Sequence, residues 1–515
     1  MLKIKAIGNK LKKIHKPLIL CAVLLSVFAF IESKQPYFFM EDDNRDFYLP
    51  YFVHNFESLL KGELAFFNFH QFLGIPHFSS GQTAVFYPVT YLCVFASKVL
   101  FGHYFAAIDI QVIFHLLIGA LGFYAFLRAL ELNGMAAFFG ALTWPLCSFV
   151  VYVSNSWVIL AGAAAYFPWM IYFAIKLYQM PAAKNIAGLV IFRLLLFYAG
   201  HIQYFIYSVI FEILTFTLLI LKKYGRDKDR MYLKHILKVY TISFVFVFFL
   251  SLPLLLPMWH QTSISASRSC RLPFAEYFSE SYDMFQWLTG IVFPFNDATA
   301  ANKWAHRHLN SISHVGYLTV VFIVMTVVYL RREIKNEKIK QSRREIFKFG
   351  VSENIKQCKH ENVKNIEHEN LKYNWLQNCK HNETENFNCN GLKNIKYDEL
   401  ENIRRNGFKN LKPVGRKLKS RGFNNNETWN SKYNIKRLNE TGNIKYGIRY
   451  EDYVQIFIIL GIVAFLWSGN IVFNLVIYLI PVLNRFRWPF KMNFYTSFYL
   501  IAKSAAGLSR LLRTG

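Results

Sequence analysis

Apolar residues along this chain come in long blocks, not in the alternating or 3.6-residue stripes of a water-soluble domain. A helix needs roughly 17–25 predominantly apolar residues to cross a bilayer. Runs of that kind, some a few residues short of it, are read at about 17–33, 105–128, 134–153, 158–178, 185–199, 203–221, 236–258, 313–330, 453–468 and 490–510. Two further stretches are ambiguous: about 83–101, which carries Pro88 and Lys98, and about 469–483, which is short. The pattern predicts an all-α polytopic membrane protein with about 10–12 transmembrane helices.

Charge between the blocks sets the expected orientation, because Lys and Arg accumulate in cytoplasmic connections. Residues 1–16 hold Lys3, Lys5, Lys10, Lys12, Lys13 and Lys16 and no acid, which places the N-terminus inside. The first apolar run lacks a small-residue cleavage site and reads as an anchor, not a removed signal. Segment 222–238 is a second basic cluster (Lys222, Lys223, Arg226, Lys228, Arg230, Lys234, Lys238) and also belongs inside. Both clusters stay inside if 83–101 is interfacial or re-entrant. The same reasoning applied to 469–483 leaves Arg510 and Arg513 inside. Two sizeable outer loops result, 34–82 and 259–312, within an N-terminal membrane domain 1–330. Residues 451–515 then supply the C-terminal transmembrane segments.

The pattern breaks at Arg331. Residues 331–450 hold 28 Lys and Arg, 14 Asp and Glu, and 22 Asn. So few apolar residues cannot offset the entropy of ordering the chain, and the segment reads as a disordered, low-complexity cytoplasmic insertion. Asn394-Ile395-Lys396-Tyr397 recurs as Asn443-Ile444-Lys445-Tyr446, and Cys358-Lys359-His360 recurs as Cys379-Lys380-His381. The Cys and His pairs have ligand chemistry, but their spacing is tighter than zinc sites use, so duplicated sequence is the simpler reading.

Composition agrees. Of 515 residues 54% are hydrophobic and 18% aromatic, with 51 Phe and 30 Tyr, and seven Cys are too sparse for a disulfide scaffold. A net charge of +27 on a soluble chain would suggest nucleic acid. Here the insertion carries +14, residues 1–16 carry +6 and segment 222–238 carries +5. The excess therefore reports orientation and contact with anionic lipid, and no nucleic-acid partner is expected.

Chemistry is expected on the opposite, acidic face. Glu41-Asp42-Asp43-Asn44-Arg45-Asp46 follows the first span. Leu49, Phe52, Val53, Phe56 and Leu60 then recur at helical spacing, with Pro50 in the first turn and Gly62 past the end, predicting an amphipathic helix lying on the bilayer. Such a helix would hold the carboxylates at headgroup level, where a base or metal ligand must sit to act on a lipid phosphate ester.

Asp43, Pro50-Tyr51-Phe52, Lys61-Gly62, Asn68, Gly74-Ile75-Pro76 and Phe86-Tyr87-Pro88 resemble the first outer loop of YfhO-type bacterial membrane proteins, members of the GT-C class of glycosyltransferases. Gly200-His201-Ile202-Gln203 resembles the family's Gly-His-Pro-Gln element, with Ile202 in place of Pro. Ser251 to Pro257, His314-Val315-Gly316-Tyr317 and Phe486-Arg487-Trp488-Pro489 resemble further elements in the same order. The resemblance covers roughly 17–330 and 450–510. It implies a GT-C-like fold and transfer of a sugar from a polyprenyl-phosphate carrier to a cell-envelope acceptor, a teichoic-acid-like polymer, on the extracytoplasmic face of the cell membrane. It also implies that an acid of the first loop is the base or helps hold a divalent cation, Mg or Mn. Asp43 is the best match, with Asp42 and Asp46 behind it. Family members run longer, so the chain looks truncated relative to them.

Displacement at a sugar phosphate needs one carboxylate to take the acceptor proton, and a cation to stabilise the leaving phosphate. Arg268, Arg271, Arg485 and Arg487 are the outward cations singled out, because a planar guanidinium holds phosphate oxygens in pairs. His201 and Gln203 sit at an outward helix junction where a sugar would be lined. His54, His70 and His77 have irregular spacing and read as structural. Asp109 and His115 lie inside an apolar run and are suspects as intramembrane ionisable groups. A transporter or flippase of lipid-linked saccharides, and an inactive truncated family member, are the competing readings.

Overall fold

The computed structural model describes residues 2–71, 73–265, 269–279, 324, 328, 331 and 450–514. The expected span 313–330, the insertion 331–450, most of the second outer loop and Arg268 fall outside the described residues or nearly so.

Among the described residues the protein is all-helical, with one isolated antiparallel bridge between Asn68 and Ile75. The helices are α1 (Leu2–Lys34), α2 (Leu49–Leu60), α3 (Pro88–Phe101), α4 (Ala107–Ala129), α5 (Gly134–Leu146), α6 (Ser148–Ser156) and α7 (Val158–Gln179). They continue as α8 (Ala183–Tyr198), α9 (Ile202–Asp227), α10 (Arg230–Ile264), α11 (Phe274–Tyr277), α12 (Tyr450–Gly469), α13 (Ile471–Tyr478) and α14 (Asn493–Thr514). Among the described residues seven stretches are long and apolar enough to cross a bilayer: His15–Lys34, Ala107–Ala129, Gly134–Ser156, Val158–Gln179, Ile202–Gly225, Arg230–Ile264 and Tyr450–Gly469. Many of their outward positions are also apolar, as along α10 at Val245, Phe246, Phe248, Phe249 and Leu250. Helices that are apolar inside and out belong in lipid, and the protein is a polytopic membrane protein.

Close approach between helices rests on small residues, as expected where lipid gives no hydrophobic drive to association. A Cβ added at Gly119 of α4 would lie 2.5 Å from the Ala164 carbonyl oxygen of α7, and one at Gly140 of α5 would lie 3.0 Å from the Ala505 Cβ of α14. Helix α14 is the least apolar of the long helices, yet it is almost wholly buried. It carries Phe494, Tyr495, Phe498 and Tyr499 into the core, where both tyrosine hydroxyls find partners. Tyr495 pairs with the Ser208 hydroxyl (2.9 Å) and Tyr499 with the Thr215 hydroxyl (2.9 Å). The expected span 490–510 is thus a crossing-length helix shielded from lipid by its neighbours.

Two expected elements differ from the pattern reading in how they are covered. Helix α2 forms where predicted, with Pro50 in its first turn and Gly62 (φ +77°) just past its end. Its stripe of Leu49, Phe52 and Phe56 is buried against protein, while Leu59 and Leu60 remain exposed. The reason is the chain after it: the Asn55 amide donates to the Thr83 carbonyl (2.6 Å) and pairs with the His77 ring (2.8 Å), folding 63–87 back over the helix. Helix α3 has 14 residues, about 21 Å, and does not cross. Tyr87 just before it reaches His115 inside α4 (2.5 Å), and the Ser97 hydroxyl near its end donates to the His103 carbonyl (2.8 Å), just before α4 begins. The chain therefore dips in and returns to the end it left. Helix α13, with 8 residues, likewise cannot cross.

The ends of the bundle differ in charge. At one end Arg128 donates to the Leu132 carbonyl, Arg513 to the Glu131 carbonyl and Lys222 to Gln455. The acidic segment Glu41 to Asp46 lies at the other, called here the Asp43 end.

Candidate functional site

The segment before α2 is held in place from two sides. On one side the Asp109 carboxylate, in the first turn of α4, accepts from the Phe39 N–H (2.8 Å), and Glu32 of α1 accepts from the Tyr37 N–H (2.9 Å). Asp109, suspected from sequence as an intramembrane acid, is thus a clamp on the loop. On the other side stands the junction of α6 and α7. Asn44 is fully buried: its amide donates to the carbonyls of Phe39 (2.8 Å), Ser154 (2.8 Å) and Asn155 (3.0 Å), and its oxygen accepts from the Val158 N–H (2.7 Å). Asn155 also donates to the Phe38 carbonyl. Asn44 therefore uses both amide donors and its oxygen to fix the residue beside Asp43.

Of the three carboxylates singled out from sequence, Asp43 is the one facing into the protein. It is half-buried, and its Oδ2 accepts from the Trp157 indole N–H at 2.9 Å. Burial raises its pKa above the ordinary carboxylate value, Asp42 and Asp46 add to the rise, and the indole hydrogen bond works against it. Asp42 is exposed on a left-handed backbone (φ +46°). Asp46 is exposed and paired with Arg45 (2.9 Å), whose hydrogen bond holds its carboxyl below the usual range. A cleft of about 440 Å³ adjoins them, lined by Gln35, Phe38, Glu41, Asp42, Tyr152, Asn155 and Ser156. The carboxylates diverge, and among the described residues no group of three or more His, Cys, Asp or Glu side chains is arranged to hold a metal ion.

Trp157 links Asp43 to a part of the chain more than 300 residues away. Its indole lies parallel to that of Trp488 (centroids 5.8 Å apart, 5° between planes), and the Phe490 ring sits beside both, 6.4 Å from Trp157 and 6.2 Å from Trp488. Under these rings lies Lys491, in the 3₁₀ turn Pro489–Met492 that leads into α14, and only 4% exposed. Its Nζ lies 5.1 Å from the Trp157 ring centroid, 4.9 Å from that of Trp488 and 5.9 Å from that of Tyr204, and donates to Gln203 Oε1 at 2.8 Å. Trp488 takes a left-handed backbone (φ +68°), which a bulky residue adopts only when its surroundings force it.

The remaining expected residues divide. Gln203 joins this cluster: its Nε2 donates to the Arg487 carbonyl (2.8 Å) and to the Tyr207 hydroxyl (3.0 Å). His201 caps α9, its Nδ1 accepting from the Tyr204 N–H (3.3 Å). Arg487 is half-buried and ion-paired with Glu276 (2.5 Å). Arg271 lies over the Tyr478 ring (5.2 Å), and Arg485 is exposed. His54, His70 and His77 come together ring to ring, 4.9 Å between His54 and His77 and 6.2 Å between His54 and His70. Burial pushes the His77 pKa down to about 3, so this ring is neutral and packs as an aromatic.

Sequence reasoning missed Lys491, Trp157 and Asn44. Lys491 was visible as an ionisable residue opening an apolar run, the signal that default suspicion of intramembrane charge is meant to catch. The same signal marks Arg193 and Glu212, the only charged residues in the runs 185–199 and 203–221. They form a fully buried pair between α8 and α9 (2.6 and 2.8 Å), completed by Tyr240 (2.5 Å) on Glu212 and Ser243 (2.8 Å) on Arg193, both from α10. No protein-family model matches this chain, and no curated protein matches it significantly.

Proposed function

We propose that this protein is a membrane transferase that moves a sugar from a polyprenyl-phosphate carrier to a hydroxyl of a cell-envelope acceptor, with Asp43 as the base and the Asp43 end facing out of the cytoplasm. The observation that carries the reading is the setting of Asp43. It is a half-buried carboxylate with a raised pKa, oriented by one hydrogen bond from Trp157, and it follows Asp42, which lines an open cleft. A base of raised pKa accepts a proton more readily, and a cation fixed nearby favours charge that develops on a leaving group. In the reaction the acceptor oxygen bonds to the anomeric carbon while Asp43 takes its proton. The bond from that carbon to the phosphate oxygen breaks, and its electron pair leaves on the phosphate. The polar cleft beside Glu41 and Asp42 suits a hydroxylated acceptor. The basic residues at the opposite end support a cytoplasmic placement of that end by the positive-inside rule.

The test is transfer by purified protein in lipid from a labelled polyprenyl-phosphate sugar to an envelope polymer. Asp43→Asn should abolish it while leaving insertion and thermal stability intact. Full activity of that variant would remove the assignment, and movement of the lipid-linked sugar across the bilayer without transfer would favour a flippase.

A further inference from the structure

We infer that the segment folded back over α2 is an acid-opened cover, and that His77 is the group whose protonation opens it. The inference does not depend on the transferase reading. It concerns the three histidines that sequence spacing left as structural, and the loop they hold against the acidic segment.

The cover is pinned at several points. Asn55 of α2 points its amide nitrogen at the Thr83 carbonyl (2.6 Å), so its oxygen faces His77 and the ring must donate from Nε2 (2.8 Å). Nδ1 is then the bare nitrogen of a neutral ring, and it is buried with no hydrogen-bond partner. The Thr83 hydroxyl donates to the His77 carbonyl (3.0 Å) and holds the backbone as well. His54 of α2 donates from Nε2 to the Phe67 carbonyl (3.1 Å). Between these pins Asn68 and Ile75 exchange both backbone hydrogen bonds (2.9 Å each). The Gln71 amide donates to the Asp46 carbonyl (3.3 Å), so the cover also rests on the acidic segment.

This arrangement has no place for a second ring proton. It would enter at Nδ1, and a buried N–H without an acceptor is costly. The groups that meet the ring offer no counter-charge. From α2 they are Tyr51 (centroids 5.2 Å apart) and His54 (4.9 Å), with His70 of the cover beyond His54 (6.2 Å). From α10, Met258 lies against Gly81 in the turn after His77. None of these is an acid, and a proton on His54 would add a like charge. Burial accordingly moves the His77 pKa from the ordinary 6.5 down to about 3, and His54 pushes the same way. A histidine depressed in the closed form favours closure fully above its ordinary value. That contribution is lost as pH falls below it, by up to about tenfold per pH unit. Opening would bare Tyr51, which lies within the field of Asp43, and release the Asp46 backbone. One flank of the acidic segment is thus shut at neutral pH and open in acid.

The experiment follows hydrogen–deuterium exchange of the full chain in nanodiscs across a pH series from neutral into acid, corrected for the intrinsic pH dependence of exchange. In wild type, protection of peptides spanning 63–83 should fall below the ordinary histidine value by up to about tenfold per pH unit, while α4 and α7 stay protected. His77→Gln keeps a donor for the Asn55 oxygen and cannot be charged, so its cover should stay closed across the series. His54→Gln should keep most of the wild-type response. A wild-type cover equally protected at both ends of the series would overturn the inference, whether or not any variant folds. A full pH response in His77→Gln would remove His77 as its source. Loosening of α4 and α7 together with the cover would also overturn it, because acid would then be unfolding the bundle.

Discussion

Two polar clusters among the described residues of this apolar bundle are built to different rules. In the first, between α8, α9 and α10, the Arg193 guanidinium grips both oxygens of Glu212, and Ser243 and Tyr240 fill further positions around the pair. Both side chains are fully buried, and the Phe244 ring closes over the guanidinium (3.7 Å). In the second, at the Asp43 end, the ammonium is held by an amide and aromatic faces, the carboxylate by a single indole N–H, and an open cleft lies alongside. A charge pair whose hydrogen bonds are satisfied within the protein fixes the packing of its helices. At the Asp43 end the two charges instead meet one indole, the carboxylate at its N–H and the ammonium at its ring.

Breaking the first cluster should give the largest effect. Arg193→Met or Glu212→Leu alone leaves an uncompensated charge in the bundle, an expected loss of about 3–5 kcal/mol. Little folded protein should survive detergent extraction, as read by size-exclusion chromatography. The double variant should recover most of the yield; failure to recover would mean the pair does more than hold three helices. Asp43→Asn should show the reverse profile, with a fall in transfer of about 10²–10⁴-fold and little change in thermal midpoint. An equal loss of stability would merge the two clusters into one structural class.

A smaller effect sharpens the second cluster. The indole hydrogen bond lowers the Asp43 pKa against the rise from burial. Trp157→Phe removes it, so the pKa should climb further and the acidic limb of the pH–rate profile should move to higher pH. A limb that stays in place would mean Asp43 does not set it. The smallest effect is expected at the exposed Arg45–Asp46 pair. Such pairs contribute little to stability, so Asp46→Asn should leave both thermal midpoint and transfer close to wild type.

The helical blocks were legible from sequence because burial in lipid imposes a simple rule: a stretch long enough and apolar enough forms a helix that satisfies its own backbone. Helix α2 was legible for a similar reason, since the spacing of Leu49, Phe52 and Phe56, with Pro50 at the start and Gly62 at the end, defines it locally. What covers α2 was not legible. Its apolar stripe fits a bilayer or a protein surface equally well, and the returning strand of chain with His77 and Thr83 decides between them. Gln203 was picked out for lying at a helix junction, but its partner Lys491 is 288 positions away, and no local pattern joins them.

The sequence by itself determined that the chain is a helical membrane protein, that its basic and acidic segments separate to opposite ends, and that the acidic cluster deserved suspicion before any other. Those properties depend on short-range hydropathy and charge, which are written residue by residue. Only the tertiary structure decided that Asp43 turns inward while Asp42 and Asp46 do not, that Asn44 and Asp109 anchor the loop from two sides, and that Lys491 shares Trp157 with Asp43. Each of these is a contact between segments distant in sequence, and its geometry is set by how α4, α7, α9 and α14 pack rather than by any residue's own preference.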